Sequence, residues 1–154
     1  MYEWALFFHL TGAILFFAGL TVAAVGQTAA RSRTRPSEIS LLLGTARRGV
    51  LLVGAGAIVV VAFGFWLSDL TGYGLAAWVL AALGLLAFSA IAGALGGRTL
   101  KRARLLADRL ADDGDTPSAE LEALLHDRRS DVLNWAAATA AVAILALMVW
   151  KPGS

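Results

Sequence analysis

The chain has 154 residues, of which 58% are hydrophobic and 16% are charged, and its mean hydropathy is +0.72. Because a soluble domain has about 25% charged residues, this composition excludes an ordinary soluble domain and predicts one integral membrane domain over residues 1–154. The lack of cysteine excludes disulfides and thiolate metal sites, and a net charge of only +2 does not favour a nucleic-acid partner.

The first apolar stretch predicts a membrane-spanning helix over residues 4–28. No charged residue occurs from Trp4 to Ala30, and an uncharged stretch of this length is typical of a transmembrane helix. One stripe of residues repeats at steps of three and four, which places its members on one side of the helix. It consists of His9, Gly12, Phe16, Gly19, Ala23 and Gly26. We predict that its glycines pack against another helix.

Arginines follow the first span, in a polar segment over residues 31–48. Within it, Pro36-Ser37-Glu38 is a helix-start pattern, and it predicts a short helix at the membrane interface that ends at Gly44. The second span is predicted over residues 49–67. Its valines do not indicate a strand, because only a helix satisfies its own backbone hydrogen bonds in lipid.

The polar connection over residues 68–73 predicts that the second and third spans form an antiparallel hairpin. The third span is predicted over residues 74–96. Small residues at four-residue steps predict a second packing face, because they let helix backbones approach closely. They are Ser89, Gly93 and Gly97.

Residues 98–131 form the most highly charged part of the chain, with leucines at helical spacing on both sides of Asp112-Asp113-Gly114-Asp115. This pattern predicts a charged helical hairpin, whose second helix begins with Thr116 as N-cap and Pro117 as first residue. The fourth span is predicted over residues 132–150.

The basic residues predict the orientation of the four spans. Five of the 13 lie between spans one and two, seven lie between spans three and four, and the last is Lys151. Lysine and arginine concentrate in cytoplasmic loops, so both basic loops are expected in the cytoplasm and both termini outside. The predicted fold is an all-α, four-span transmembrane helical bundle in the inner (plasma) membrane, with the charged hairpin cytoplasmic.

His9 is the ionisable residue that lies clearly inside a span, and two interpretations of it stay open. It either donates one hydrogen bond that fixes helix packing, or serves as a ligand or a proton carrier. An imidazole binds haem iron, copper or zinc, and Met148 lies at a similar predicted depth in the fourth span. His9 and Met148 are therefore candidate cofactor ligands, with haem b as the cofactor considered. His126 is expected to be a solvated surface residue.

Several short motifs together resemble a family of bacterial integral membrane proteins of unknown function, DUF2269. They are Met1-Tyr2-Glu3-Trp4, Phe8-His9-Leu10-Thr11-Gly12-Ala13, Leu70-Thr71-Gly72 with Trp78, and Leu147-Met148-Val149-Trp150-Lys151-Pro152-Gly153. More distantly, the first-span histidine is similar to that of HemJ-type protoporphyrinogen oxidases and of CopD-type copper-resistance domains. That resemblance implies haem or metal binding at His9. HemJ-type proteins also use a lysine in the third span, which this chain lacks.

Two classes of function follow from these residues, with a third as a weaker alternative. The chain lacks a phosphate loop and a hydrolase triad, which favours a non-catalytic subunit or interaction protein of a membrane complex. Its partners would be membrane lipids and either another membrane protein or a second copy, docked through glycine-rich helix faces. The alternative is a haem- or metal-binding protein that uses His9 as axial ligand. The third is a proton or small-solute carrier.

Overall fold

The computed structural model describes residues 1–152, and these residues form five α-helices without any β-strand. Gly153, the last residue of the C-terminal motif, lies outside them. The helices are α1 Tyr2–Arg31, α2 Pro36–Leu70, α3 Ala77–Asp112, α4 Ala119–Leu125 and α5 Arg128–Trp150. By length and composition, four helices can cross a membrane: α1, α2, α3 and α5 together with the short α4 before it. The predicted all-α fold with four spanning helices is confirmed.

Helix α2 runs without interruption from Pro36 to Leu70, so the prediction of a separate short helix ending at Gly44 was wrong. A glycine inside a helix costs about 1 kcal/mol relative to alanine, which weakens a helix without ending it. Good helix-forming residues follow Gly44, and the apolar run after them keeps the backbone helical. The polar first turns and the membrane segment are therefore parts of one continuous helix.

The connection between α2 and α3 is a compact turn that forms its own hydrogen bonds. The backbone N–H groups of Tyr73 and Gly74 donate to the carbonyl of Ser68, and the Ser68 hydroxyl donates to the Gly74 carbonyl at 2.6 Å. Gly72 and Gly74 both have positive φ angles, +75° and +54°, which glycine adopts without strain. Helix α3 therefore begins at Ala77, three residues after the predicted start of the span.

The charged hairpin contains two helical arms, but its second helix begins later than predicted. Helix α3 continues through the charged segment to Asp112, and Gly114, at φ +106°, ends it. The N-cap of α4 is Ser118 instead of the predicted Thr116. The backbone stays extended through Ser118, at φ −130° and ψ 129°, so the first helical residue is Ala119.

The described chain comprises two compact units. The first unit contains Met1–Thr28 and Gly44–Leu75, which are most of α1 and α2. The second contains Ala29–Leu43 and the chain from Ala76 onwards. The long helices α1 and α2 therefore contribute their apolar parts to one unit and their polar ends to the other.

A small apolar core lies at the polar end of the second unit. We call this region the charged cap, formed by residues 29–43 and 98–131. Side chains from the end of α1, the start of α2, the end of α3 and α4 are almost completely buried together there. They are Ala30, Ile39, Leu43, Ala103, Ala107, Leu121 and Leu125. The start of α2, predicted to lie at the membrane interface, thus buries one apolar face against protein.

Candidate functional site

The glycine stripe of α1 is the face that packs against α2 in the first unit. Gly12, Phe16, Gly19, Ala23 and Gly26 are all buried. A methyl group built on Gly12 would lie 2.8 Å from the backbone nitrogen of Val60, and one on Gly19 would lie 2.7 Å from that of Val53. No larger residue fits, because the neighbouring atoms belong to backbone. The two helices therefore pack in direct backbone contact.

Helix α2 contributes two glycines of its own to this contact, and neither was among the predicted packing residues. A methyl group on Gly49 would lie 2.6 Å from the backbone nitrogen of Ala23, and one on Gly56 would lie 2.5 Å from that of Phe16. These two glycines are seven residues apart, as are Gly12 and Gly19. This shared seven-residue period is the sequence feature that could have predicted that the two glycine faces pack together.

His9 lies on the same α1 face, near the end of the stripe, and its ring contacts α2. Its Nδ1 is 3.0 Å from the backbone carbonyl oxygen of Val60. A carbonyl can only accept, so Nδ1 carries the hydrogen and donates it. In the neutral ring, this hydrogen bond leaves the Nε2 lone pair available to a metal ion or to a hydrogen-bond donor.

Gly64 makes the space that the imidazole ring occupies. A methyl group on Gly64 would lie 3.2 Å from both Cε1 and Nδ1 of His9, which is tighter than an ordinary contact. Aromatic rings lie at the same end of the α1–α2 pair, where Phe8 stacks on Phe63 with ring centres 4.7 Å apart. Trp4 and Trp66 extend the same aromatic cluster. The imidazole ring of His9 thus occupies the space left at Gly64, and the aromatic cluster lies at the same end of the two helices.

His9 is a candidate ligand that belongs to no cluster of three or more such candidates in the described part of the chain. Among residues 1–152, no group of three or more His, Asp or Glu side chains could hold a metal ion. Met148, the second candidate ligand, is half-buried on α5 in the second unit, and the His9–Met148 pair stays a prediction. One imidazole nitrogen fits one axial bond to a haem iron.

The second predicted packing face lies between α3 and α5 in the second unit. Ser89 is buried, and its hydroxyl donates to the carbonyl of Ala137 at 3.0 Å. Gly93 approaches the Ala137 side chain, with a distance of 3.9 Å from a methyl group built on it. The closest approach occurs at Gly96, where Asn134 and Ser130 leave no room for a methyl group, whereas Gly97 has open space.

Polar contacts surround the core of the charged cap. Arg31, at the end of α1, pairs with Asp131 in the first turn of α5. Asp127 is the N-cap of α5 and accepts a hydrogen bond from the backbone N–H of Ser130 at 3.1 Å. His126 is exposed at the end of α4, as expected of a solvated residue.

Within the charged cap, Asp115 accepts hydrogen bonds from the N-terminal turn of α2. Its carboxylate accepts the backbone N–H and the hydroxyl of Ser37, both at 2.8 Å, in the first turn of α2. These hydrogen bonds, together with the nearby charge of Arg35, lower the pKa of Asp115 below its ordinary value. The free N–H groups of a helix N-terminus favour a negative charge at this position.

This contact predicts a pH dependence for the charged cap. Because the folded state lowers the pKa of Asp115, the stabilisation by its carboxylate is complete above the unfolded pKa of about 3.8 and is lost as pH falls through the folded pKa. We expect Asp115→Asn to lower the melting temperature of the cap at neutral pH, and the difference from wild type to vanish in strong acid. Asp113→Asn serves as the control, and an equal effect of both variants would contradict the prediction.

Comparison with known proteins places the chain in a membrane context. The family model DUF2269, described as predicted integral membrane protein, matches residues 4–152. No curated protein and no solved structure has a significant match to the chain. The match covers the whole of the first unit from Trp4 and reaches the end of α5, so it includes His9 and both sets of packing glycines.

Proposed function

We propose, for a chain that belongs to the DUF2269 family of predicted integral membrane proteins, the role of a non-catalytic subunit in a membrane complex. In this proposal α2 docks against a helix of another membrane protein. The supporting observation is the poor coverage of α2. Only 6% of its membrane window is buried within the chain, compared with 17–22% for the other three spanning segments.

The uncovered face of α2 has a shape that suits helix docking. Leu51 and Ile58 are 63% and 72% exposed, and Gly54 lies between them at helical spacing. A methyl group on Gly54 would meet nothing within 4 Å. Small residues flanked by large ones let a partner helix approach closely, and dispersion contacts then hold the two together.

Steric blocking of this face tests the role. We expect Gly54→Trp to release the protein from its complex, so that its apparent mass on a native gel of mildly solubilised membranes falls to that of the free chain. Ile14→Trp is the matched control, because Ile14 is 69% exposed on α1. A mass that is unchanged by Gly54→Trp would refute docking through α2.

A second candidate function rests on the hydrogen bond of His9. Metal-bound histidines commonly donate their other ring N–H to a backbone carbonyl, which fixes the tautomer and the ring orientation. His9 donates Nδ1–H to Val60 in this way, so Nε2 would supply one axial ligand to haem b or to a metal ion. The aromatic cluster beside it would supply apolar contacts to a planar macrocycle.

Absorption spectroscopy separates the two functions. For the haem-binding function, protein purified from haem-replete cells should show a Soret band that disappears in His9→Ala and persists in His126→Ala. A colourless preparation would exclude stable haem binding. Metal analysis of the same preparations would test the metal alternative, with the His9→Ala variant as the metal-free reference.

We also propose that the charged cap faces the cytoplasm of a bacterial cell, with both termini outside the inner membrane. The support is the placement of 12 of the 13 basic residues in the two segments that flank the spans on that side. Since the chain has no cysteine, single cysteines report accessibility cleanly. An impermeant maleimide should label Glu3→Cys in intact spheroplasts. It should label Asp112→Cys only in inverted membrane vesicles prepared from the same cells. The opposite pattern would reverse the orientation.

A further inference from the structure

The outward face of α3 combines apolar and basic residues in two successive sections. Relative to the buried positions of this helix, Phe88, Ile91 and Leu95 point away from α5 at helical spacing. All three are more than 40% exposed. Arg98 and Arg102 continue the same line of the helix surface, and Lys101 lies beside them.

The three basic residues lie where the apolar part of the helix pair ends. The hydroxyl of Ser130 donates to the carbonyl of Gly96 at 2.8 Å, which aligns the end of the apolar run of α3 with the start of that of α5. Arg98 follows Gly96 by two residues, or about 3 Å along the helix. The positive charges therefore lie at the depth of lipid headgroups.

No acidic side chain neutralises this basic group within the described residues. Arg98, Lys101 and Arg102 are exposed, and none of them takes part in a salt bridge there. The acidic residues at the same height are engaged elsewhere. Asp127 accepts from Ser130 and from the hydroxyl of Thr99, and Asp131 pairs with Arg31.

We propose that this face of α3 binds an anionic phospholipid, with its phosphodiester on Arg98, Lys101 and Arg102 and an acyl chain along Phe88, Ile91 and Leu95. The dimensions agree with one leaflet. From Gly84, which has open space on the same face, to Leu95 the helix rises about 16 Å, and half a hydrocarbon core is about 15 Å. Juxtamembrane lysine and arginine attract anionic headgroups additively.

Lipid retention in native mass spectrometry tests the site. We expect detergent-purified protein to retain added phosphatidylglycerol in preference to phosphatidylcholine. The triple variant Arg98→Gln, Lys101→Gln, Arg102→Gln should lower the affinity for phosphatidylglycerol at least about tenfold, and Arg102→Gln alone should give a smaller loss. The variants should keep the melting temperature of wild type in phosphatidylcholine, which reports correct folding.

The matched control is Arg128→Gln with Arg129→Gln, because these exposed residues lie at the same height on α5. This control should keep the preference for phosphatidylglycerol. Loss of the preference in the control but not in the α3 variants would overturn the proposal. So would displacement of the lipid by inorganic phosphate alone, which would indicate an ion site. A triple variant that keeps its lipid but leaves a protein complex would show instead that a protein partner occupies this face.

Discussion

Gly56→Ala is expected to lower the free energy of unfolding of the first unit by about 2 kcal/mol. The added methyl group would lie 2.5 Å from the backbone nitrogen of Phe16 and 2.8 Å from the carbonyl oxygen of Gly12. Neither neighbour can rotate away, because both atoms belong to the backbone of α1. The helices would have to separate, and contacts along the whole glycine face would weaken.

Gly54→Ala is the matched control for this prediction. It lies in the same helix, two residues away, and its methyl group would meet nothing within 4 Å. Both substitutions gain the same helix propensity, about 1 kcal/mol in favour of alanine, so the difference between the variants reports packing alone. Titration with a denaturing detergent, followed by circular dichroism, measures it. Equal stabilities for the two variants would show that α1 and α2 are not in backbone contact.

The spans could be predicted from the sequence because lipid leaves a helix as the one local solution. Uncharged stretches of sufficient length in α1 and α2 had to be helical to satisfy their own backbone. The buried face of α1 was also predictable, since Gly12, Phe16 and Gly19 repeat at helical spacing. Local rules of this kind need no knowledge of the partner.

Local sequence rules could not predict which residues of α2 contact the glycine face of α1. Gly49 and Gly56 share the seven-residue period of Gly12 and Gly19, but only the register between α1 and α2 brings them to Ala23 and Phe16. Likewise, the contact between His9 and Gly64 spans more than fifty residues, and neither residue type demands the other. A sequence pattern predicts that one face of a helix will pack. Which residues it packs against depends on the register between the two helices, which is set by both helices and by the segment that connects them.

Some predicted positions differ from the structure because they rested on one residue and not on the sequence around it. A helix end was predicted at Gly44, yet α2 continues through it because the residues on both sides favour helix. Within the described residues, the closest approach of α3 to α5 is at Gly96, one residue before the predicted packing residue Gly97. A shift of one residue turns a helix by about 100°, so spacing alone selects a face only approximately.

The two packing regions of this chain depend on different forces. Along the spans, lipid is as apolar as the side chains, so close contact of glycines provides the stability. In the charged cap, Ile39, Leu43 and Leu121 leave water when they pack, and the hydrophobic effect contributes directly. Mutations in the cap should therefore follow the rules of soluble proteins.

Leu121→Ala provides the sharpest test of that distinction. Leu121 is 1% exposed and belongs to α4, a helix of only seven residues. A helix this short is unstable in water without tertiary contacts. Truncation of a buried leucine costs about 2–5 kcal/mol, which is enough to detach α4 from Ala103 and Ala107 on α3.

Hydrogen exchange at the α4 backbone amides should therefore become on the order of 30-fold faster or more in Leu121→Ala. The exchange of amides in the membrane segments should not change, because they do not depend on the cap for their hydrogen bonds. Leu105→Ala is the control, since Leu105 is 42% exposed on α3 and its truncation removes little buried area. If α4 exchanged at the wild-type rate in Leu121→Ala, its apolar contacts would not be what holds it in place. The polar contacts of the cap, Ser37 with Asp115 and Arg31 with Asp131, would then have to carry its stability.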